Sequence, residues 1–245
     1  MSKVLVIPDS HLKLNIIKNG IKLADKLKVD NIVLLGDYFD DWHATNRQYF
    51  EMMKFIKNLI RFDHRVIALL GNHELSYLGF PCSGYKASVA EYIKDNLKHD
   101  HRFYFAAAID GVLYSHAGVC TSWLKENNIV TQNAFRYQIT KQNGANVLEK
   151  AIGKVSSFAP FAQVGTARGG NLPPSPLWAD ITELISDAVP KVKQVVGHTP
   201  ISQIEKISSC WFTDVFSNNN ECDEYLFVVD GEPETLHFNL EFPNE

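Results

Sequence analysis

Five short polar clusters hold the side chains of this sequence best equipped for chemistry: Asp9-Ser10-His11, Gly36-Asp37-Tyr38-Phe39-Asp40, Gly71-Asn72-His73-Glu74, Ser115-His116-Ala117-Gly118 and Gly197-His198-Thr199-Pro200. Together they offer carboxylates, imidazoles and a carboxamide but no thiolate, a donor set that suits manganese, iron or zinc better than calcium, with manganese favoured here. Asp9 and His11 stand two residues apart, so in an extended segment both side chains fall on one side and reach one ion. Asp37, alone behind Gly36, is the candidate bridge, because a carboxylate can give one oxygen to each of two ions. Asn72, His116 and His198 then hold the second ion. Two cations about 3.5 to 4 Å apart can activate a water, neutralise phosphoryl oxygens and assist a leaving oxygen, which is what hydrolysis of a phosphoester requires. His73, beside Asn72, is placed to donate a proton to the leaving alkoxide, and Asp40 to fix its tautomer by accepting from the other ring nitrogen.

The elements that must position these clusters read as apolar runs. Val4 to Ile7, Asn31 to Leu35 and Val66 to Leu70 predict buried strands, with helical spacing over Asn15 to Leu27 and Tyr49 to Ile60 between them. A β-α-β-α-β order implies parallel pairing with right-handed crossovers. Ligands of such open sheets bind beyond the carboxyl ends of the strands, where the first three clusters fall. Gly111 to Tyr114 and Val192 to Val196 deliver two histidines in the same way. Cys210 to Phe212, Glu224 to Val229 and Thr235 to Leu240, with the turn Asp230-Gly231-Glu232-Pro233, predict short strands and an antiparallel hairpin. The expectation is one α/β domain over residues 1–245 with a helical cap or insertion at about 121–190. Within it, Asn127 to Ile152 has helical patterning, and Gly165 to Pro176 is Gly/Pro-rich and equally fits a plain surface connection.

Bulk properties narrow the classes. With 245 residues, 45% of them hydrophobic, the chain can bury a sizeable core. Its 24 basic and 28 acidic residues give a net charge of -4, which disfavours nonspecific capture of nucleic acid. Cys82, Cys120, Cys210 and Cys222 show no C-x-x-C spacing, which argues against a zinc ribbon or a disulfide framework and fits a reducing, cytoplasmic setting. The N-terminal apolar run is too short for a signal core, and no stretch approaches the roughly 20 apolar residues of a membrane span. Oligomeric state has no signature here.

The five clusters, in this order and each after an apolar run, resemble the motifs of the calcineurin-like metallophosphoesterase superfamily over residues 4 to about 215. The resemblance implies a sandwich of two mixed β-sheets flanked by helices, with a dinuclear site at the strand ends and a metal-bridging hydroxide as the nucleophile. Gly-Asp-Tyr-x-Asp and Gly-Asn-His-Glu look most like the phosphoprotein phosphatases and the bacterial symmetrical diadenosine tetraphosphatases. Pro200 stands where other branches carry a further metal-binding histidine. The expected activity is that of a phosphatase acting on a phosphoprotein or small phosphomonoester. A diadenosine polyphosphate hydrolase is the alternative, ahead of a phosphodiesterase or nuclease and of a non-catalytic scaffold on the same fold. The closest pattern has an arginine to grip phosphate where this chain has Asp41; Arg168, in the interval where related bacterial enzymes carry one, is the candidate replacement, with Asn72 as a further substrate contact. Asp214 resembles a family aspartate after the Gly-His cluster and is read as supporting the site or the fold.

Blander readings stand beside several of these. Arg168 fits a surface salt bridge as well as a phosphate grip. His43 is more readily a surface histidine, and His99 and His101 belong to a polar turn. Tyr38, Phe39 and Trp42 could stack a nucleobase, although packing is the ordinary role of such aromatics. Cys82 could be a redox-sensitive thiol near the site or an inert one.

Overall fold

The computed structural model describes residues 2–98, 100–129, 158–217 and 224–237. The opening alternation forms as the apolar pattern requires: β1 (Lys3–Ile7), α1 (Leu14–Leu27), β2 (Asn31–Leu34), α2 (Asn46–Phe62), β3 (Val66–Leu69) and α3 (Asn72–Tyr77), followed by α4 (Ala90–Lys98) and β4 (Phe103–Tyr104). After these come β5 (Ala106–Ile109), β6 (Val112–Ser115), α5 (Thr121–Glu126), α6 (Ile181–Asp187), β7 (Lys193–Val196), β8 (Glu205–Ile207), β9 (Cys210–Phe212), β10 (Glu224–Val229) and β11 (Glu232–His237). Helix starts are set by local chemistry. At α2, Gln48 reaches back to the Thr45 amide at 2.9 Å, and at α6 the Asp180 carboxylate takes the Thr182 amide at 3.1 Å.

The strands assemble into two mixed sheets, one of six strands in the order β11-β10-β1-β2-β3-β4 and one of five in the order β5-β6-β7-β9-β8. β1, β2, β3 and β4 run parallel, while β10 joins β1 antiparallel and closes the hairpin with β11. That hairpin turns one step earlier than the sequence suggests, at Asp230-Gly231, with Glu232 and Pro233 already paired to Val229 and Val228. Both residues of the turn have positive φ, which an aspartate tolerates and a glycine favours. Alternation along the strands builds the sandwich. Val4, Val6, Val33, Leu35 and Leu69 of the larger sheet meet Ala107, Val112, Tyr114, Val195 and Trp211 of the smaller. Leu5, Ile7, Ile32 and Leu34 turn the other way, into the layer that includes Ile16, Ile17, Tyr49, Met52 and Ile56 of α1 and α2.

Of the expected insertion, residues 130–157 lie outside the described residues, and Asn127 to Ile129, where the helical patterning of Asn127 to Ile152 begins, follow the end of α5 as turn and loop instead. The flanking pieces pack into the body. Phe161 stacks on Phe105 and is buried with Trp123, whose indole N–H donates to Pro160 O at 2.8 Å, and Leu177 and Leu184 are fully buried. Among the described residues no helix is long and apolar enough to cross a membrane.

Candidate metal centre

The carboxyl ends of β1, β2, β3, β6 and β7 bring all five polar clusters to one edge of the sandwich. Backbone hydrogen bonds stitch the clusters together: His11 N donates to Asp37 O at 2.9 Å, Leu12 N to Tyr38 O at 2.8 Å, and Gly197 N to His116 O at 2.8 Å. Two glycines make the approach possible. A Cβ on Gly71 would lie 2.0 Å from Asp37 Oδ1, and one on Gly197 would lie 2.1 Å from Asp9 Oδ1, so any side chain at either place would push a carboxylate away. His11, Asp37, Asp40 and His198 all have positive φ, a costly backbone that clusters at functional sites when the surroundings over-determine it.

Asp37 is the centre. Its Oδ2 lies 3.3 Å from His116 Nε2 and 3.9 Å from both His11 Nε2 and His73 Nε2, while Oδ1 accepts the His73 amide at 3.0 Å. His11 donates Nδ1–H to Phe39 O at 2.9 Å, and His116 donates Nδ1–H to Leu35 O at 3.0 Å, which fixes both tautomers and leaves each Nε2 facing inward. His116 Nε2 also sits 2.9 Å from Asn72 Oδ1 and 3.1 Å from His198 Nδ1. Four buried groups thus point lone pairs at one small volume: a carboxylate, a carboxamide oxygen and two imidazoles.

Such a cluster repels itself unless something positive lies within it. Burial alone would depress the His116 imidazolium, yet Asp37 and Asp9 raise it to about 9, so the site holds a proton strongly where an ion could stand instead. Burial would likewise raise the Asp37 carboxyl, but the imidazoles of His116, His73 and His11 outweigh it and hold the group well below the usual carboxylate range. His198 is driven well below its usual value by burial and by His116 and stays neutral, as a ligand must. Asp37, His116 and His198 form one grouping able to hold an ion, and His11, Asp37 and His73 a second, with Asp37 common to both. The residues present fit a pair of divalent cations sharing one carboxylate.

Asp9 lies deeper, with both oxygens on the His198 amide at 3.0 and 3.2 Å. Burial raises its carboxyl and Asp214 raises it further. Asp214 is itself buried, with Oδ1 accepting the Ser217 amide at 3.2 Å and Oδ2 without a hydrogen-bond partner among the described residues. His73 donates Nδ1–H to Asp40 Oδ2 at 2.8 Å, as the spacing predicts. Its imidazolium would be depressed by burial, but Asp37 and Asp40 lift it well above the usual value. Arg168 reaches the rim: Nη2 donates to Thr199 Oγ1 at 3.0 Å, next to His198, while Nε pairs with Asp180 at 3.1 Å, so the salt bridge and the rim position coexist. Tyr38 and Phe39 are buried and do not present faces to a ligand, whereas Trp42 is 79% exposed and His43 is exposed. Cys82 Sγ lies 3.9 Å from His73 Nδ1, at the site as its position suggests.

Glu74 is the residue whose role the sequence did not disclose. Fully buried, it accepts the amides of Asp37, Tyr38 and Gly71, each at 2.8 Å, tying the ends of β2 and β3 together beneath Asp37. The Gly-x-x-Glu spacing is that of a capping box, with glycine in the place of serine, and was the available signal. Burial and Asp37 push its carboxyl up to about 7. Glu74→Gln should lower divalent-ion affinity about 10- to 100-fold and cost about 1–3 kcal/mol through an unsatisfied buried amide. Calorimetric titration with manganese beside thermal unfolding would check this, and unchanged affinity would remove Glu74 from the centre.

Comparison with known proteins agrees with this geometry. A family model described as calcineurin-like phosphoesterase matches residues 2–228. A cold-active protein-tyrosine phosphatase of the psychrophile Shewanella sp. and a point mutant of a cold-active protein tyrosine phosphatase share the fold, each with TM-score 0.58 and 19% identity over 96% of this chain and 80% of theirs. No curated protein matches the sequence. The chain belongs to the calcineurin-like phosphoesterase family and is a metal-dependent phosphoester hydrolase.

Proposed function

We propose that this hydrolase is a phosphatase, acting on phosphate monoesters of proteins or small molecules at two divalent ions held by Asp9, His11, Asp37, Asn72, His116 and His198. The convergence of Asp37 Oδ2, Asn72 Oδ1, His116 Nε2 and His198 Nδ1 within 2.9 to 3.3 Å steps carries the reading. Bound there, the ions supply Lewis-acid charge for the phosphoryl oxygens and an activated water. The mixed oxygen and nitrogen donors favour manganese, with iron or zinc as alternatives. Asn72 doubles as a substrate contact through its amide. His73, held by Asp40, gives the proton that the leaving oxygen needs, and Arg168 grips the phosphoryl group in place of the arginine missing at Asp41. A phosphatase neighbour in fold and the free thiols of Cys82, Cys120 and Cys210 are in keeping with a monoesterase working in the cytoplasm. Residues 1–245 form one domain in this reading, with the cap of about 121–190 selecting the substrate.

Metal-stripped protein reloaded with manganese, zinc or iron should hydrolyse p-nitrophenyl phosphate and a phosphopeptide faster than bis-p-nitrophenyl phosphate or diadenosine tetraphosphate. Turnover dominated by diadenosine tetraphosphate would instead make the chain a dinucleoside polyphosphate hydrolase. Arg168→Ala should raise KM about 10- to 100-fold with both ions retained, the scale of one charge-assisted pair. An unchanged KM would return Arg168 to its salt bridge with Asp180.

A further inference from the structure

The Asp40 carboxylate has more partners than a proton-orienting aspartate requires. Oδ2 accepts from His73 at 2.8 Å, and Oδ1 accepts from two phenols at once: Tyr49, from α2, at 3.1 Å, and Tyr77, from the end of α3, in a shorter bond. Both tyrosines are buried, and burial beside Asp40 pushes both phenols up, so each keeps its proton and faces the carboxylate as a donor. Their rings have little room to swing. Phe39 stacks on Tyr49 at 6.1 Å and meets Tyr77 edge-on at 6.1 Å, and Tyr77 OH also accepts the Lys86 amide at 3.3 Å. With Oδ1 taken by the two phenols, Oδ2 is the oxygen turned to the imidazole.

We propose that Tyr49 and Tyr77 are positioning residues for phosphoester cleavage, holding Asp40, and through it His73, with Nε2–H aimed at the leaving oxygen. The inference rests on the reading of His73 as proton donor. As a hydroxide oxygen bonds to phosphorus and the ester P–O bond breaks, the electron pair of the broken bond stays on the leaving oxygen, which takes the Nε2 proton. The neutral imidazole keeps its Nδ1–H on Asp40. Loosening the phenol clamp leaves the ions and the phosphoryl grip in place but lets the ring drift from the line of transfer. Poor leaving groups need that proton and good ones do not.

The test uses the manganese-loaded full chain, comparing phenyl phosphate with p-nitrophenyl phosphate for Tyr49→Phe, Tyr77→Phe, the double variant and His73→Gln. Expected is an about 10-fold or greater fall in kcat on phenyl phosphate for the double variant, with p-nitrophenyl phosphate, KM and bound manganese little changed. Nitrogen NMR of the His73 ring in the zinc-loaded chain, which is diamagnetic, should show both nitrogens protonated in the parent and, once the ring is titrated to neutral, a single Nδ1–H tautomer, against a mixture of tautomers in the variants, a signature that does not depend on turnover. Equal losses on both substrates with lost manganese would overturn the clamp in favour of a packing role, as would full activity and an unchanged tautomer in the double variant. If His73→Gln itself showed no leaving-group dependence, the proton-donor reading would fall and take the clamp with it.

Discussion

Asp37→Asn is expected to strip the chain of its ions and its activity together. The substitution keeps shape and suits the backbone, since asparagine tolerates the positive φ of 50° found there. It exchanges two anionic oxygens for one neutral oxygen and an NH2 group. That NH2 would face His116 Nε2 at 3.3 Å or displace the oxygen that accepts the His73 amide, and in neither orientation can the side chain bridge two cations. Activity should fall by about 10³-fold or more, the several kcal/mol that metal charge stabilisation supplies. Metal content after dialysis and turnover of p-nitrophenyl phosphate are the measurements. Retention of two ions would remove Asp37 from the bridge.

His73→Ala should behave differently: both ions kept, KM little altered, and kcat on phenyl phosphate, whose leaving group needs the proton, down about 10²- to 10⁴-fold. His73 Nε2 is as close to Asp37 Oδ2, 3.9 Å, as is His11 Nε2. What separates the two rings is the second nitrogen. His11 donates to backbone carbonyls, as a neutral ligand can, whereas His73 donates to the Asp40 carboxylate, which favours the imidazolium. Loss of one ion in His73→Ala would make His73 a ligand, and full turnover of phenyl phosphate would exclude it from proton transfer.

The candidate site was legible because its residues sit where strands end. Asp9, Asp37, Asn72, His116 and His198 each follow an apolar run whose period and length announce a buried strand, and parallel pairing then forces those ends to one edge. The sandwich itself was not available from periodicity, since Val4 and Leu5 are equally apolar and only tertiary packing assigns one to the facing sheet and the other to the helices. Resemblance to known motifs provided that step. Tyr49 and Tyr77 escaped for a related reason: along α2, Tyr49 looks like any residue of a buried stripe, and its bond to Asp40 belongs to a loop that folds back from β2. Contacts of this kind have no period.

The proposed donors are divided between the two sheets, Asp9, His11, Asp37 and Asn72 following strands of the larger and His116 and His198 following strands of the smaller. A chain emerging from the ribosome therefore acquires its donors in instalments and lacks the last until residue 198 has cleared the exit tunnel and β7 has found β6. Until then the early donors can attract a cation but not enclose it. On the proposed assignment hydrolytic power comes only after the two sheets have met, and a product truncated before β7 is expected to lack it.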